Sequence, residues 1–414
     1  MTVEPALLVD IGSTVVKICT RSEDGHLSGV ERITRLPDVA PGHQARTLIE
    51  QRQRSTGISA VRICSSANGG LRIGILGLSR RHSIAAAARA ATSVGGNVVY
   101  TQLLADNATK PASPVDVLVM VGGVNGAEFG ALRQALQAIR LADHPRDVLV
   151  WAGADAPDIV AGLPLTRRAA NVLDSDLRPN LHGLAETIRD IYLRDLVDRK
   201  GLQAVAGVTD VQIWPTPAVV GLAAVRMTTH PIFPRPTSPF IIVDVGGSTT
   251  DVFVCAELRW EHNARSAPGE LVVRYVFTDL GVAASRPSLR QQLAHDPDLL
   301  DLVSAVDPTR ARARYTAISE GATDALAPPI SFLTCLFLAL RRLAAPGGYG
   351  VELGRAASFV ITGGAWAGTP VSSIRRVVNA ACGISGFTGS VLVDRDYQLW
   401  AQGIQEVPEK GADG

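Results

Sequence analysis

Two stretches of the chain carry the same chemistry. Residues 10–20 read DIGSTVVKICT, and residues 244–254, 234 positions later, read DVGGSTTDVFV. Each sets an aspartate at the end of an apolar run, followed by glycine, serine and threonine. Small residues let backbone N–H groups approach an anion and cradle phosphate oxygens, and the hydroxyls add donors. The carboxylate can hold Mg²⁺, usually through water, because that ion dehydrates reluctantly. Alone, either stretch reads equally as an ordinary β-turn. Facing each other across a cleft, the pair forms a phosphate clamp. The residues at stake are Asp10, Gly12, Ser13, Thr14 and Lys17 in the first copy. In the second they are Asp244, Gly246, Gly247, Ser248, Thr249 and Asp251.

The elements that must position these turns are legible around them. Short apolar runs ending in glycine or aspartate recur: ALLVDIG (6–12), VRICSS (61–66), DVLVMVGG (116–123), DVLVWAG (147–153), DVQIWP (210–215), FIIVDVGG (240–247) and SFVITGG (358–364). Unbroken rather than alternating hydrophobicity suits strands buried on both faces. Between them, 129–142 and 181–200 repeat apolar residues at helical spacing. Strands alternating with helices predict an α/β fold with a partly parallel sheet.

The spacing also suggests a duplication. A glycine pair closes a strand at Gly122-Gly123, 112 residues after Asp10, and another at Gly363-Gly364, 119 residues after Asp244. THPIFPRPTSP (229–239), with four prolines in eleven residues, breaks helix and central strand alike and marks the boundary. Two domains are expected, 1–235 and 236–414.

Composition narrows the function classes. The 414 residues carry a formal net charge of +1 and 46% hydrophobic residues, without a long block of like charge. Nothing here grips nucleic acid or an anionic membrane. Lysine occurs only at 17, 110, 200 and 410, which makes Lys17 in a glycine-serine turn conspicuous. It either neutralises phosphate or is a solvated strand-end lysine. Five scattered cysteines without a C-x-x-C pair read as buried thiols, and the histidines form no zinc pattern. The run Ile330–Leu340 is too short to span a bilayer and reads as a buried helix. A cytoplasmic protein is expected.

DIGSTVVK, DVGGSTTDVFV and SFVITGGAWAG together resemble the phosphate-1, phosphate-2 and adenosine motifs of the actin, sugar-kinase and 70-kDa heat-shock-chaperone superfamily. SSANGGLRIGILGL (65–78), LVMVGGVNGAE (118–128) and PTPAVV (215–220) are similar to the glutamate-mutase-associated MutL family, which is distinct from the mismatch-repair protein of that name. The resemblance implies two duplicated ribonuclease-H-like, actin-like ATPase domains, each with a mixed, largely parallel sheet flanked by helices, around a nucleotide cleft. It implies ATP and Mg²⁺ as cofactors, with Asp10 and Asp244 positioning the metal and Asp251 orienting water or metal. Gly12, Ser13 and Thr14 would wrap the β- and γ-phosphates with Lys17, and Gly246–Thr249 would form the second phosphate loop. Gly363 and Gly364 would take adenine and ribose. The loop 65–70 could be a third polar loop lining the cleft, while 118–128 is either structural or faces a partner.

Three classes follow: an ATPase that converts nucleotide state into a grip on another protein, a small-molecule kinase, or a filament-forming actin-like protein. A kinase needs a carboxylate base beside its acceptor, and Asp106, Asp155 and Asp174 are candidates without context. The MutL resemblance favours the first class. It implies a protein partner, a cobalamin-dependent mutase for which this chain would act as chaperone or reactivase, and leaves a homodimer open.

Overall fold

The apolar run ahead of the first aspartate forms β1 (Ala6–Ile11), every residue of it buried. The computed structural model describes residues 3–407 except 13, 67–70, 95, 105–114, 126–128, 139–145, 156–159, 207–212, 231, 260–270, 284, 305–308, 310–312, 314–326, 346–348 and 384–385. After β1 the chain turns back as β2 (Val15–Arg21) and again as β3 (Glu31–Thr34). It then crosses through helix α1 (Pro41–Thr56) to β4 (Val61–Ser65). Pro41 opens α1, where a missing N–H costs nothing, and Gly57 ends it at φ +73, the left-handed conformation that glycine adopts without strain.

Residues 69–202 build a second sheet. Strands β5 (Arg72–Gly77), β6 (Asn97–Leu103), β7 (Val115–Val121), β8 (Arg146–Trp151) and β9 (Arg167–Arg168) lie in the order β6-β5-β7-β8-β9, all parallel. Helices α2 (Ala85–Ser93), α3 (Gly130–Ala138) and α4 (His182–Lys200) belong to the same stretch. The strands β5 and β7 are almost wholly buried, which explains their continuous hydrophobicity.

The chain then supplies β10 (Ile213–Pro215) and α5 (Thr216–Met227), passes the proline-rich connector, and starts again. The repeat consists of β11 (Phe240–Val245), β12 (Thr250–Cys255), β13 (Val272–Phe277), β14 (Ser358–Thr362) and β15 (Ser390–Val393). Helices α6 (Ala327–Ala344), α7 (Val371–Ala381) and α8 (Leu399–Ile404) accompany it. The first sheet runs β3-β2-β1-β4-β10 and the repeat runs β13-β12-β11-β14-β15. In each, the first three strands are antiparallel and the last two join the central strand in parallel. The ribonuclease-H-like arrangement therefore occurs twice.

Compactness groups Met1–Asn68 with Gln203–Gly414 as one unit and Gly69–Leu202 as another. The boundary read from the sequence at 235/236 lies inside the first unit, between its two equivalent sheets. The 69–202 unit has no counterpart in the sequence reading. Nor does the first glycine pair stand where the spacing puts it: Gly122 and Gly123 follow β7, in the 69–202 unit. The topological counterpart of β14 is β4. Register aligns Cys64 with Asp10 as it aligns Thr362 with Asp244, so Ser65 occupies the place of Gly363. The two near-equal intervals misled because sequence spacing does not reveal an insertion.

The core of the larger unit is shared by both of its sheets and takes in Leu8, Cys19, Val219, Ile242, Phe253 and Leu336. Residues Ile330 and Phe332–Leu340 of α6 are buried or nearly so, as the sequence predicts for that run. Among the described residues no helix is long and apolar enough to cross a membrane. Helix α8 returns the chain end to α5, and the approach is close. A Cβ at Gly403 would stand 1.9 Å from the Val219 carbonyl oxygen. Gly403→Ala is expected to force the two helices apart, at roughly 1–3 kcal/mol, and to lower the thermal midpoint. Gly221→Ala, whose Cβ would make ordinary contact at 3.4 Å with Phe253, serves as the tolerated control in the same melting experiment.

Candidate functional site

The two aspartate turns are the same hairpin built twice. The Gly12 N–H donates to the Val15 carbonyl at 3.0 Å, and the Gly246 N–H to the Thr249 carbonyl at 2.8 Å. Register places Lys17 opposite Asp10 and Asp251 opposite Asp244. Equivalent backbones thus set a cation against one aspartate and a like charge against the other. A Cβ at Gly12 would lie 2.7 Å from the Val15 carbonyl oxygen, so a larger residue there would clash with the turn. Ser13 lies outside the described residues.

Asp10 is 2% exposed and fully engaged. Lys17 Nζ donates to its Oδ2 at 2.8 Å, while the Thr216 hydroxyl at 2.7 Å and the Cys64 thiol at 3.6 Å both donate to Oδ1. Thr216 opens α5 and Cys64 lies on β4, so three elements converge on one carboxylate. Burial alone would lower the Lys17 pKa, but the charge and hydrogen bond of Asp10 and the charge of Asp244 outweigh it and raise the pKa. Lys17 is therefore a largely buried cation paired with Asp10, not a solvated strand-end lysine.

Asp244 is half-buried and, among the described residues, its carboxylate accepts no hydrogen bond. Desolvation first, then the Asp251 charge, push its pKa up to about 7; Lys17 pulls it down, and Asp10 and Asp394 push it further up. Asp251 itself is 6% exposed and held by Arg274 of β13, whose Nη2 and Nε lie 2.6 and 2.9 Å from Oδ1. The Thr249 hydroxyl donates to its other oxygen at 3.3 Å.

Asp394, just after β15, is the site carboxylate that sequence reasoning missed. It is fully buried and accepts from the Thr362 hydroxyl and from the N–H groups of Gln398 and Leu399 at the start of α8. Burial raises its pKa despite these bonds and the Lys17 charge. The segment VDRDYQ around it carries no glycine turn to mark it. A second missed feature is the brace behind the second hairpin. Val282 and Ala283 N–H groups donate to the Gly246 and Gly247 carbonyls, and the Ser285 hydroxyl to the Ser248 carbonyl. Gly281 approaches so closely that a Cβ there would lie 2.3 Å from the Ser248 carbonyl carbon.

Gly363, at φ +84, packs against Asp244: its Cβ would fall 2.3 Å from Asp244 Oδ1. The turn after β14 and the second hairpin thus meet at that carboxylate, and Gly364 beside them is exposed. In the first hairpin the Thr14 carbonyl accepts from the Arg35 N–H at 3.0 Å. Of the sequence-predicted residues, Asp10, Gly12, Thr14, Lys17, Asp244, Gly246–Thr249, Asp251, Gly363 and Gly364 all lie in the larger unit. Gly122 and Gly123 belong to the other.

No three acidic, histidine or cysteine side chains among the described residues converge as a ready-made metal cage. The two aspartates also differ as metal partners. Asp10 has both oxygens committed, whereas Asp244 is an unbonded carboxylate among like charges, the kind of group that a bound cation would stabilise in its ionised form. The residues fit a hydrated Mg²⁺ held from Asp244.

Two equivalent five-stranded sheets, each opening on an aspartate-bearing hairpin, define an actin-like ATPase fold. Within that class the chain belongs to the MutL protein family, whose model matches residues 6–325. Protein MutL of Clostridium tetanomorphum is 26% identical over 324 residues, covering 69% of this chain and 68% of that protein. Among solved structures, the chain is similar to component A of the Acidaminococcus fermentans (R)-2-hydroxyglutaryl-CoA dehydratase, with 11% identity, 97% and 96% coverage and a TM-score of 0.36. It is also similar to a glycerol dehydratase reactivase, with 9% identity, 97% and 99% coverage and a TM-score of 0.36. A ROK family glucokinase from Streptomyces griseus shows 12% identity, 97% and 98% coverage and a TM-score of 0.33.

The raised Asp244 pKa has a signed consequence. The folded chain keeps this proton up to about pH 7, while the unfolded chain releases it near the ordinary aspartate value of 3.8. Between those limits the folded state binds more protons, so this group's contribution to stability falls as pH rises. Asp244→Asn is expected to raise the thermal midpoint at pH 8, with the gain vanishing below about pH 4. Melting curves of both proteins across that range check it; an equal gain at every pH would contradict the charge origin.

Proposed function

We propose that this chain is a Mg-ATP-binding ATPase that uses its nucleotide state to act on a protein partner. The observation that carries the reading is the Lys17–Asp10 ion pair in the first of two equivalent aspartate hairpins, at a site otherwise rich in carboxylates. Gly12, Ser13 and Thr14 on one side and Gly246, Gly247, Ser248 and Thr249 on the other offer N–H groups and hydroxyls to the phosphates. Lys17 meets their charge. Asp244 is the principal metal partner, with Asp10 acting through water. When bound, Mg²⁺ would neutralise phosphate charge and favour in-line attack on the γ-phosphate. Gly363 and Gly364 take the nucleoside.

The switch follows from the same charges. A γ-phosphate draws Lys17 away from Asp10; once it leaves, Asp10 reclaims the ammonium. Because both hairpins bear on that phosphate, its loss loosens one sheet from the other. Asp251 orients the site through its charge, since Arg274 and Thr249 hold its oxygens. That same engagement disfavours it as the base of a small-molecule kinase, and Asp174 is spent on the N–H groups of Asp176 and Arg178. We assign the partner to the class that the MutL family suggests, a cobalamin-dependent mutase, with this chain acting as its chaperone or reactivase.

Titration calorimetry with ATP and Mg²⁺ is expected to show binding in the wild type and at least about tenfold weaker binding in Asp244→Asn and Lys17→Met, the scale of one charge-assisted contact. Wild-type affinity in both variants overturns the site. ATP turnover raised by an added mutase supports the partner assignment; turnover that requires a sugar or acid acceptor supports the kinase instead.

A further inference from the structure

The sheet of residues 69–202 is wholly parallel, so all of its strands start at one edge. Open α/β sheets hold ligands outside the other edge, the carboxyl ends of the strands, where the strand order reverses. Here that reversal falls between β5 and β7, and the place is filled. A Cβ at Gly122, just after β7, would stand 2.8 Å from Leu78 Cγ, just after β5. The starting edge is different. Beside α4 it opens a cavity of about 280 Å³ lined by Asp116, Asp147, Arg167 and Arg194 over Leu71 and Ile191.

The charges around this cavity are sorted by sign. Asp116 and Asp147 are each the second residue of their strands, β7 and β8. Register pairs Val115 with Arg146 and Val117 with Val148, so the two aspartates stand level on neighbouring strands. The guanidiniums come from elsewhere: Arg167 opens β9 and Arg194 lies on α4. Asp116 Oδ2 accepts from the Arg72 N–H at 2.7 Å. Arg167 Nη1 donates to the Thr166 carbonyl at 3.4 Å. Asp147 and Arg194 are exposed, and among the described residues neither makes an ion pair or a side-chain hydrogen bond. Opposite charges thus rim one cavity without closing on each other.

We propose that this cavity binds a small aliphatic α-amino acid, its ammonium on Asp116 and Asp147 and its carboxylate on Arg167 and Arg194. Two carboxylates at one level disfavour each other and favour a cation between them. Guanidiniums match a carboxylate in geometry as well as in charge. A ligand that carries both charges on one carbon answers both halves at once. Size points the same way. Pockets for drug-sized ligands span about 300–1,000 Å³, and 280 Å³ lies just under that range. Leu71 and Ile191, both buried, give the side chain an apolar surface, which favours an aliphatic one. Every residue of the site belongs to the 69–202 unit and none to the aspartate hairpins, so the inference stands apart from the nucleotide reading.

Calorimetry on the full chain tests it with L-leucine, with isoamylamine, which lacks the carboxylate, and with isocaproate, which lacks the amine. Leucine is expected to bind about tenfold or more tighter than either analogue, because each forfeits a charge-assisted contact. Asp147→Asn should weaken leucine about tenfold and leave isocaproate unaffected. Arg194→Gln should weaken leucine to a similar degree and leave isoamylamine unaffected. Both positions are exposed, so melting curves at the wild-type midpoint are expected and verify folding without recourse to nucleotide. Absence of leucine binding to the wild type overturns the site. Equal affinity for leucine and either analogue does the same, as does leucine affinity that survives both substitutions. None of these outcomes bears on Mg-ATP binding, which is measured separately.

Discussion

The site depends on one ammonium group shared among carboxylates from two sheets. Lys17 is bonded to Asp10 and is felt by Asp244 and Asp394. Burying a carboxylate without a counter-charge is costly, and a carboxylate so placed holds its proton instead. Asp10 has its cation and two further donors. Asp251 has Arg274. Asp394 has three hydrogen bonds to offset its burial. Among the described residues Asp244 has none of these, and its burial and the Asp251 charge raise its pKa. That carboxylate lies where the second hairpin meets the Gly363 turn.

The asymmetry arises from a single cross-strand position. Both hairpins close with the same glycine-to-i+3 hydrogen bond, and both place their seventh residue after the aspartate directly opposite it. In the first copy that residue is lysine, in the second aspartate. Directly opposed residues are close neighbours in an antiparallel pair, so the choice sets the local charge almost alone. Two identical hairpins would be either both satisfied or both strained. The divergence gives one aspartate an ion pair and sets the other opposite a like charge. Contacts that join the sheets behind the hairpins, Gly403 against Val219 and Arg32 over Tyr397, are what hold such a divided site in register.

Much of this architecture was legible in the chain. The continuous apolar runs predicted β1, β4, β7, β8, β11 and β14, because a strand buried on both faces has no polar alternation to show. The paired Asp-Gly-Ser/Thr turns predicted the hairpins, and the isolated Lys17 stood out by rarity. The proline-rich stretch marked the connector between the repeated sheets. The spacing of glycine pairs failed, however, since Gly122-Gly123 belongs to the 69–202 sheet and Ser65 holds the place equivalent to Gly363.

What the sequence determined by itself is local: strand runs, the tight turn that needs Gly12, and the carboxylate that precedes it. Each depends on residues within a few positions, where backbone geometry and hydrophobic period act directly. What only the tertiary structure decided is which charges meet. Thr216 reaches Asp10 across 206 positions, Arg274 reaches Asp251 across 23, and Asp394 joins through a strand with no glycine signal. Those partners are chosen by sheet order and by an insertion after β4, and electrostatic balance depends on distance in space, for which separation along the chain gives no measure.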